Sequence, residues 1–304
     1  MGKFLPSICA LLLAVLPTGA VVIESISGNG NTSAPADNPG WENVGLLGTG
    51  TGIYLGDGWV LTTAQVGAGA ITLGGVSYNA SAGTTVQLTN NSSGKTNLTD
   101  LILFRLDSTP QNLGSIALAS STPAVGAAVT MIGAGRDRGA FTQWTIDNST
   151  TPWTWTEVSS GGNAAGYQTV DTRSMRWGTN MVAENGLWVA TDAESPLDVK
   201  SFTTSFEFGT NPDEAQGVLG DWGGAAFVKN GTAWELGGVM FSNAGFSGQP
   251  SPDLTAIIGN DTFIADISAY APQILSIVPE PSPFTLLVLP AALALLRHRK
   301  RDWL

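Results

Sequence analysis

Apolar residues along this chain come in short runs separated by glycine, asparagine and serine, a rhythm that predicts strands and turns rather than helices. Residues 44–47, 53–55 and 59–63 read as strands, the last two joined by the tight turn Gly56-Asp57-Gly58 into a hairpin. Residues 70–73 and 76–79 repeat the device around Gly74-Gly75, and further strands are predicted over 84–88, 101–106, 125–132, 141–146 and 154–158. The texture returns at 186–191, 201–208, 225–228 and 233–241. Between these halves lies a polar interval, 159–185, which reads as the place where two β-subdomains meet. A single short closing helix is predicted over 261–270, so the fold class is all-β, a sandwich or a barrel.

The two ends follow other patterns. Residues 1–20 place Lys3 before an apolar run, Ile8 to Leu16, and then a small-residue exit, Thr18-Gly19-Ala20. That is the layout of a secretory signal peptide cleaved after Ala20. A flexible leader, 21–43, rich in Gly, Asn, Ser and Pro, precedes the body at 44–272. At the far end Pro279-Glu280-Pro281 leads into the apolar stretch Phe284 to Leu296 and then Arg297-His298-Arg299-Lys300-Arg301. Residues 278–304 thereby resemble the PEP-CTERM sorting signal of exported bacterial proteins. The resemblance implies an exosortase-type sorting enzyme as partner, and a product anchored in the cell envelope through its transmembrane segment or released into extracellular matrix.

Charge and rare residues narrow the chemistry. The chain carries 13 Lys+Arg and 24 Asp+Glu. Setting aside Lys3, Arg297, Arg299, Lys300, Arg301, Glu280 and Asp302 leaves 8 basic and 22 acidic groups, a formal −14, in the body. Such a surface repels phosphate backbones, which excludes nucleic acid as an expected partner. Cys9 is the only cysteine and His298 the only histidine, and both lie in the end segments. The body therefore has no disulfide, lacks the side chains that dominate zinc sites, and has no imidazole base. Nothing in it calls for a cofactor or a metal ion.

Four segments in order give the body its own likeness: GTGIYLGDGWVLTTAQ at 50–65, LTDLILFRL at 98–106, VTMIGAG at 129–135 and GDWGGAAFVKNGTAWELGGVMF at 220–241. Together they resemble the chymotrypsin/trypsin superfamily of serine proteases, which implies a two-barrel trypsin-like fold with a short C-terminal helix. The resemblance also assigns positions. The histidine base falls at Gln65, the orienting aspartate at Asp100 and the nucleophilic serine at Trp222. A glutamine amide neither takes nor returns a proton near neutral pH, and an indole carries no attacking oxygen or sulfur. Gly220, Asp221 and Gly223 match the loop whose backbone N–H groups form the oxyanion hole, and Gln216 matches the primary-specificity position, without a charge for Lys or Arg. In the family, the aspartate of that loop pairs with an amino terminus freed by activation. No basic residue before an Ile-Val pair precedes Val44, which leaves backbone groups or water as the expected partners of Asp221.

These departures imply a pseudoprotease that binds peptide or protein, or serves as a structural module. Two other readings stay open. One is a residual hydrolase working through Ser201 or Ser205 with Asp192 or Glu194. The other is a matrix adhesin that binds polysaccharide through Trp144, Trp153, Trp155, Trp177 or Trp188, although strand tryptophans more often fill cores. Asp192, Glu194 and Asp198 lack the spacing of a calcium loop and read as solvated acids.

Overall fold

The computed structural model describes residues 21–25, 30–191, 195–209 and 211–278. The segments read as signal peptide and sorting signal therefore lie outside the described residues, apart from Val278. So do Asp192 and Glu194. Among the described residues no helix is long and apolar enough to cross a membrane.

The first half of the body forms a seven-stranded antiparallel sheet. Its centre is the hairpin Gly50–Gly56 and Trp59–Thr63, flanked by Val44–Leu47 on one side and Leu98–Arg105 on the other. The positive φ of Gly56 (118°), Asp57 (49°) and Gly58 (82°) gives this turn its left-handed backbone, which is why the sequence supplies two glycines there. The sheet curls on itself. Ser81 N donates to the Arg105 carbonyl at 2.7 Å and Asp107 N to that of Asn79 at 2.9 Å, joining the chain after one edge strand to the end of Leu98–Arg105.

The second half is a closed six-stranded barrel. In order around it run Arg176–Ala190, Asp198–Ser205, Asp261–Asp266, Ala233–Ala244, Ala225–Asn230 and Ala128–Gly133. One apolar cluster joins the two bodies: Ile53, Leu61 and Leu103 from the sheet, Ile132, Phe227 and Val239 from the barrel. The C-terminal helix Ile267–Ile277 lays Tyr270 and Ile274 on that same cluster. Asp266 caps it, its carboxylate accepting from Ser268 N at 3.0 Å.

Three expectations need correction. The helix starts at Ile267 rather than at 261 and runs five residues past the expected domain end at 272, because Asp261–Asp266 is the strand that closes the barrel against Asp198–Ser205 and Ala233–Ala244. Residues 159–185 are not a connector but hold Ala164–Arg173 and most of Arg176–Ala190. The bodies divide instead between Arg105 and Ala128. The start of the expected leader is packed into the body: Val21, Val22 and Ile23 are fully buried, and Val22–Ile23 pairs with Ala215–Gln216.

One further layer lies outside this plan. Arg136–Asp147, Thr154–Val158 and Ala164–Arg173 form a separate sheet with Thr255–Ile257, inserted between the first barrel strand and the second.

Candidate functional site

The turn after Trp59–Thr63 carries Gln65 to the seam between the two bodies. Its backbone N–H donates to Asp100 Oδ1 at 3.1 Å, its Nε2 donates to Asp100 Oδ2 at 3.1 Å, and the same Nε2 reaches the Phe241 carbonyl of the barrel at 2.6 Å. Asp100 is 1% exposed, in the middle of the buried run of Leu98–Arg105. Gln65 and Asp100 thus meet at the seam. Both hydrogens of the amide are spent on fixed acceptors, which leaves a strut across the seam rather than a proton carrier.

Trp222 lies across the same seam. Its carbonyl accepts from Thr51 N at 2.9 Å, tying the barrel loop to the first sheet. Its indole turns inward, 8% exposed, into a cluster with Val21, Ala215, Met240 and Ile264, with Val66 packed against that cluster. The ring edge lies 3.5 Å from where a side chain on Gly217 would begin, alongside Met240 and Thr262. Gln216 is fully buried next to Gly217, and neither its amide oxygen nor its nitrogen has a partner. The indole thus fills the space beside Gly217.

The loop before Trp222 is built on one tight turn. Asp221 N donates to the Val218 carbonyl at 2.9 Å, and Gly220 has φ 98°, the signature of a type II turn with glycine at its third position. Asp221 is fully buried. Its carboxylate accepts from Gly135 N at 2.7 Å, from Val218 N at 2.9 Å and from the backbone N–H of Val21. Burial pushes this carboxyl up to about 7, against the pull of those donors and of the Arg173 charge. Gly133 and Gly135 permit the approach, since a Cβ on either would come within 2.1 Å and 2.4 Å of the carboxylate.

Two participants escape sequence reasoning. One is Val21, whose only sequence signal is an apolar triplet, Val21-Val22-Ile23, directly after the expected cleavage point. The other is Arg173, from the inserted sheet. Its guanidinium donates to the carbonyls of Ala134 (2.8 Å), Gly48 (3.0 Å), Gly50 (2.9 Å) and Gly220 (3.2 Å), riveting both bodies to the turn. Replacing Arg173 with Met keeps the stem and removes every donor. The expected loss is about 2–4 kcal/mol in urea unfolding, since hydrogen bonds from a charged donor are the stronger kind; an unchanged unfolding midpoint would show that water serves those carbonyls equally well.

Of the alternative hydrolytic centre only the serines are described, since Asp192 and Glu194 lie outside the described residues. Ser201 is fully buried and its hydroxyl donates to the Val199 carbonyl at 2.9 Å, while the Ser205 hydroxyl is held by Asp261. Asp198 accepts from Lys95 Nζ at 3.1 Å and Thr96 N at 2.9 Å. Among the tryptophans, Trp144 is buried, Trp177 donates to the Ser33 carbonyl at 2.9 Å, and Trp188 lies beneath Lys95 and Lys200. Trp153 and Trp155 pack with Phe246.

A closed barrel, a curled sheet, a closing helix and a seam holding Gln65, Asp100 and Trp222 make one arrangement. The fold is all-β, a curled seven-stranded sheet beside a closed six-stranded barrel. No family model matches the chain, and no match is found among characterised proteins. Among solved structures it is similar to neuropsin, a serine protease expressed in the limbic system of mouse brain, at 17% identity, covering 82% of this chain and 98% of that one with a TM-score of 0.49. It is also similar to Rv3671c from M. tuberculosis, as the inactive form of a serine-to-alanine mutant (17% identity, 82% and 94% covered, TM-score 0.46) and as the active protease (16%, 79% and 81%, TM-score 0.42).

Proposed function

We propose that this protein is an exported, catalytically inactive trypsin-like domain that binds peptide or protein, or acts as a structural module, at the bacterial envelope or in its matrix. The observation that carries the reading is the seam itself: a glutamine bonded to Asp100 where a base is required, and a buried indole where an attacking oxygen is required. Peptide hydrolysis on this architecture moves a proton from serine to imidazole and on to the leaving amine. Neither carrier exists here.

Export rests on the end segments. Removal of residues 1–20 by signal peptidase leaves Val21 first, and exosortase acts at the far end. Cleavage at Ala20 has a structural consequence, because the Val21 nitrogen already points at Asp221. Cutting that peptide bond turns a neutral N–H into an ammonium beside a buried carboxylate, so export and locking of the seam become one event.

The test is direct. Mature protein treated with a fluorophosphonate probe is expected to show no mass increase in intact mass spectrometry, and Gln65→His alone is expected to leave a casein-derived peptide library uncut. An adduct mapped to any residue of the body, or cleavage by the unmodified chain, would overturn the reading. Peptide-array binding that weakens when Trp222 is replaced would place the ligand at the seam.

A further inference from the structure

The inserted sheet carries a feature that the seam does not use. A concave pocket of about 400 Å³ lies between the hairpin Arg136–Asp147/Thr154–Val158 and the loop after Ala233–Ala244, with Trp153, Phe246 and Ile146 among its walls. That volume falls in the range of small-molecule sites. Trp153 and Phe246 stack nearly parallel, 18° apart with centroids at 6.3 Å, and Trp155 leans on Phe246 at 6.2 Å. The rings are pinned from behind. Trp155 Nε1 donates to the Ser247 carbonyl at 2.9 Å, and Gly248, with φ 66°, lets its loop close on the Trp153 backbone, where a Cβ would come within 2.1 Å of the carbonyl.

The floor is small: Gly162, Ala164 and Ala165. Gly162 is required there, since a Cβ would meet the Trp144 carbonyl at 2.6 Å. At the rim Asn163 is exposed and fixed, accepting from Ile146 N at 2.7 Å and donating to its carbonyl at 3.2 Å. Its amide retains a second hydrogen and a second lone pair for a ligand. Among the described residues no charged side chain lines the pocket.

We propose that this pocket binds a neutral saccharide. The chemistry is that of a sugar: a preformed aromatic wall for the C–H face of a pyranose, a floor without bulk, and one oriented amide for hydroxyl groups. A charged ligand finds no counter-ion there, and the −14 body repels acidic polymers. The inference is independent of the fate of the seam, because its residues come from the insertion and the loop after residue 244.

Titration of the mature chain with cellotetraose, mannotetraose and an oligogalacturonate, followed by calorimetry and tryptophan fluorescence, tests it. The expected result is saturable binding of at least one neutral oligosaccharide, weakened tenfold or more by Trp153→Ala, with the oligogalacturonate failing to bind. Ala164→Gln fills the floor without touching the rings, and should abolish binding even if Trp153→Ala folds poorly. Absence of binding to both neutral probes, or affinity indifferent to Ala164→Gln, overturns the proposal.

Discussion

A chain that begins at Val21 will be more stable at pH 7 than the same chain with even a few residues left ahead of it, by about 2–4 kcal/mol. The reason lies in Asp221, which is fully buried among backbone N–H donors and has its carboxyl pushed from 3.8 to about 7. A shift of that size is worth roughly 4 kcal/mol at about 1.4 kcal/mol per unit, and it disfavours the folded state whenever the carboxyl must ionise. In an extended chain, whose Val21 keeps a neutral N–H, the raised value means that this group's contribution is fully present below the ordinary carboxylate range. It is then lost as pH rises through about 7. Cleavage after Ala20 reverses the sign. An ammonium against the carboxylate lowers the folded value, so stability is present above the ordinary carboxylate range and lost as acid protonates Asp221. Thermal unfolding of the two chains between pH 4 and 8 should therefore diverge, the extended chain gaining relative to the processed one on acidification. Asp221→Asn should cost the processed chain more, because it strands an ammonium in a buried site. Parallel pH profiles, or equal midpoints at pH 7, would show that Val21 contributes no charge to the loop.

Local motifs were legible and long-range ones were not, for physical reasons. Gly56-Asp57-Gly58 needs left-handed backbone within consecutive residues, so its turn is written in the sequence itself. Gln65, Asp100 and Trp222 fall inside short segments legible in the sequence, and the first two are brought into contact. The strand Ala164–Arg173 was hidden because it stands in an inserted sheet with much of its length in solvent, which suppresses the alternation of a half-buried strand. Asp261–Asp266 reads as helical and is extended, because pairing on both sides in a closed barrel overrides local propensity. Arg173 and Val21 reach the site from outside every motif, and their roles exist only once the chain has closed on Gly220 and Asp221.

Replacing Trp222 with serine puts a hydroxyl at the seam, and is expected to yield a weaker protein rather than an enzyme. The indole is 8% exposed among Val21, Ala215, Met240 and Ile264, so its removal opens a cavity in the barrel. Loss of a large buried aromatic costs about 3–5 kcal/mol, and the serine hydroxyl adds a polar group to an apolar cluster. The midpoint in guanidinium should fall accordingly. Reactivity should not appear, because Gln65 holds both its amide hydrogens on Asp100 and Phe241 and has no basic nitrogen to accept the hydroxyl proton. Adding Gln65→His supplies that nitrogen next to Asp100, and the emptied space beside Gly217 becomes available to a ligand side chain. The double variant thus separates the two losses: fluorophosphonate labelling of the double but not of Trp222→Ser would show that the base was the missing chemical element. Labelling of the single variant would show instead that the loop turn and solvent suffice to activate a serine, contrary to the role assigned to Gln65. An unchanged unfolding midpoint in Trp222→Ser would place the indole in solvent, and with it would fall the account of the seam as a site closed by its own side chain.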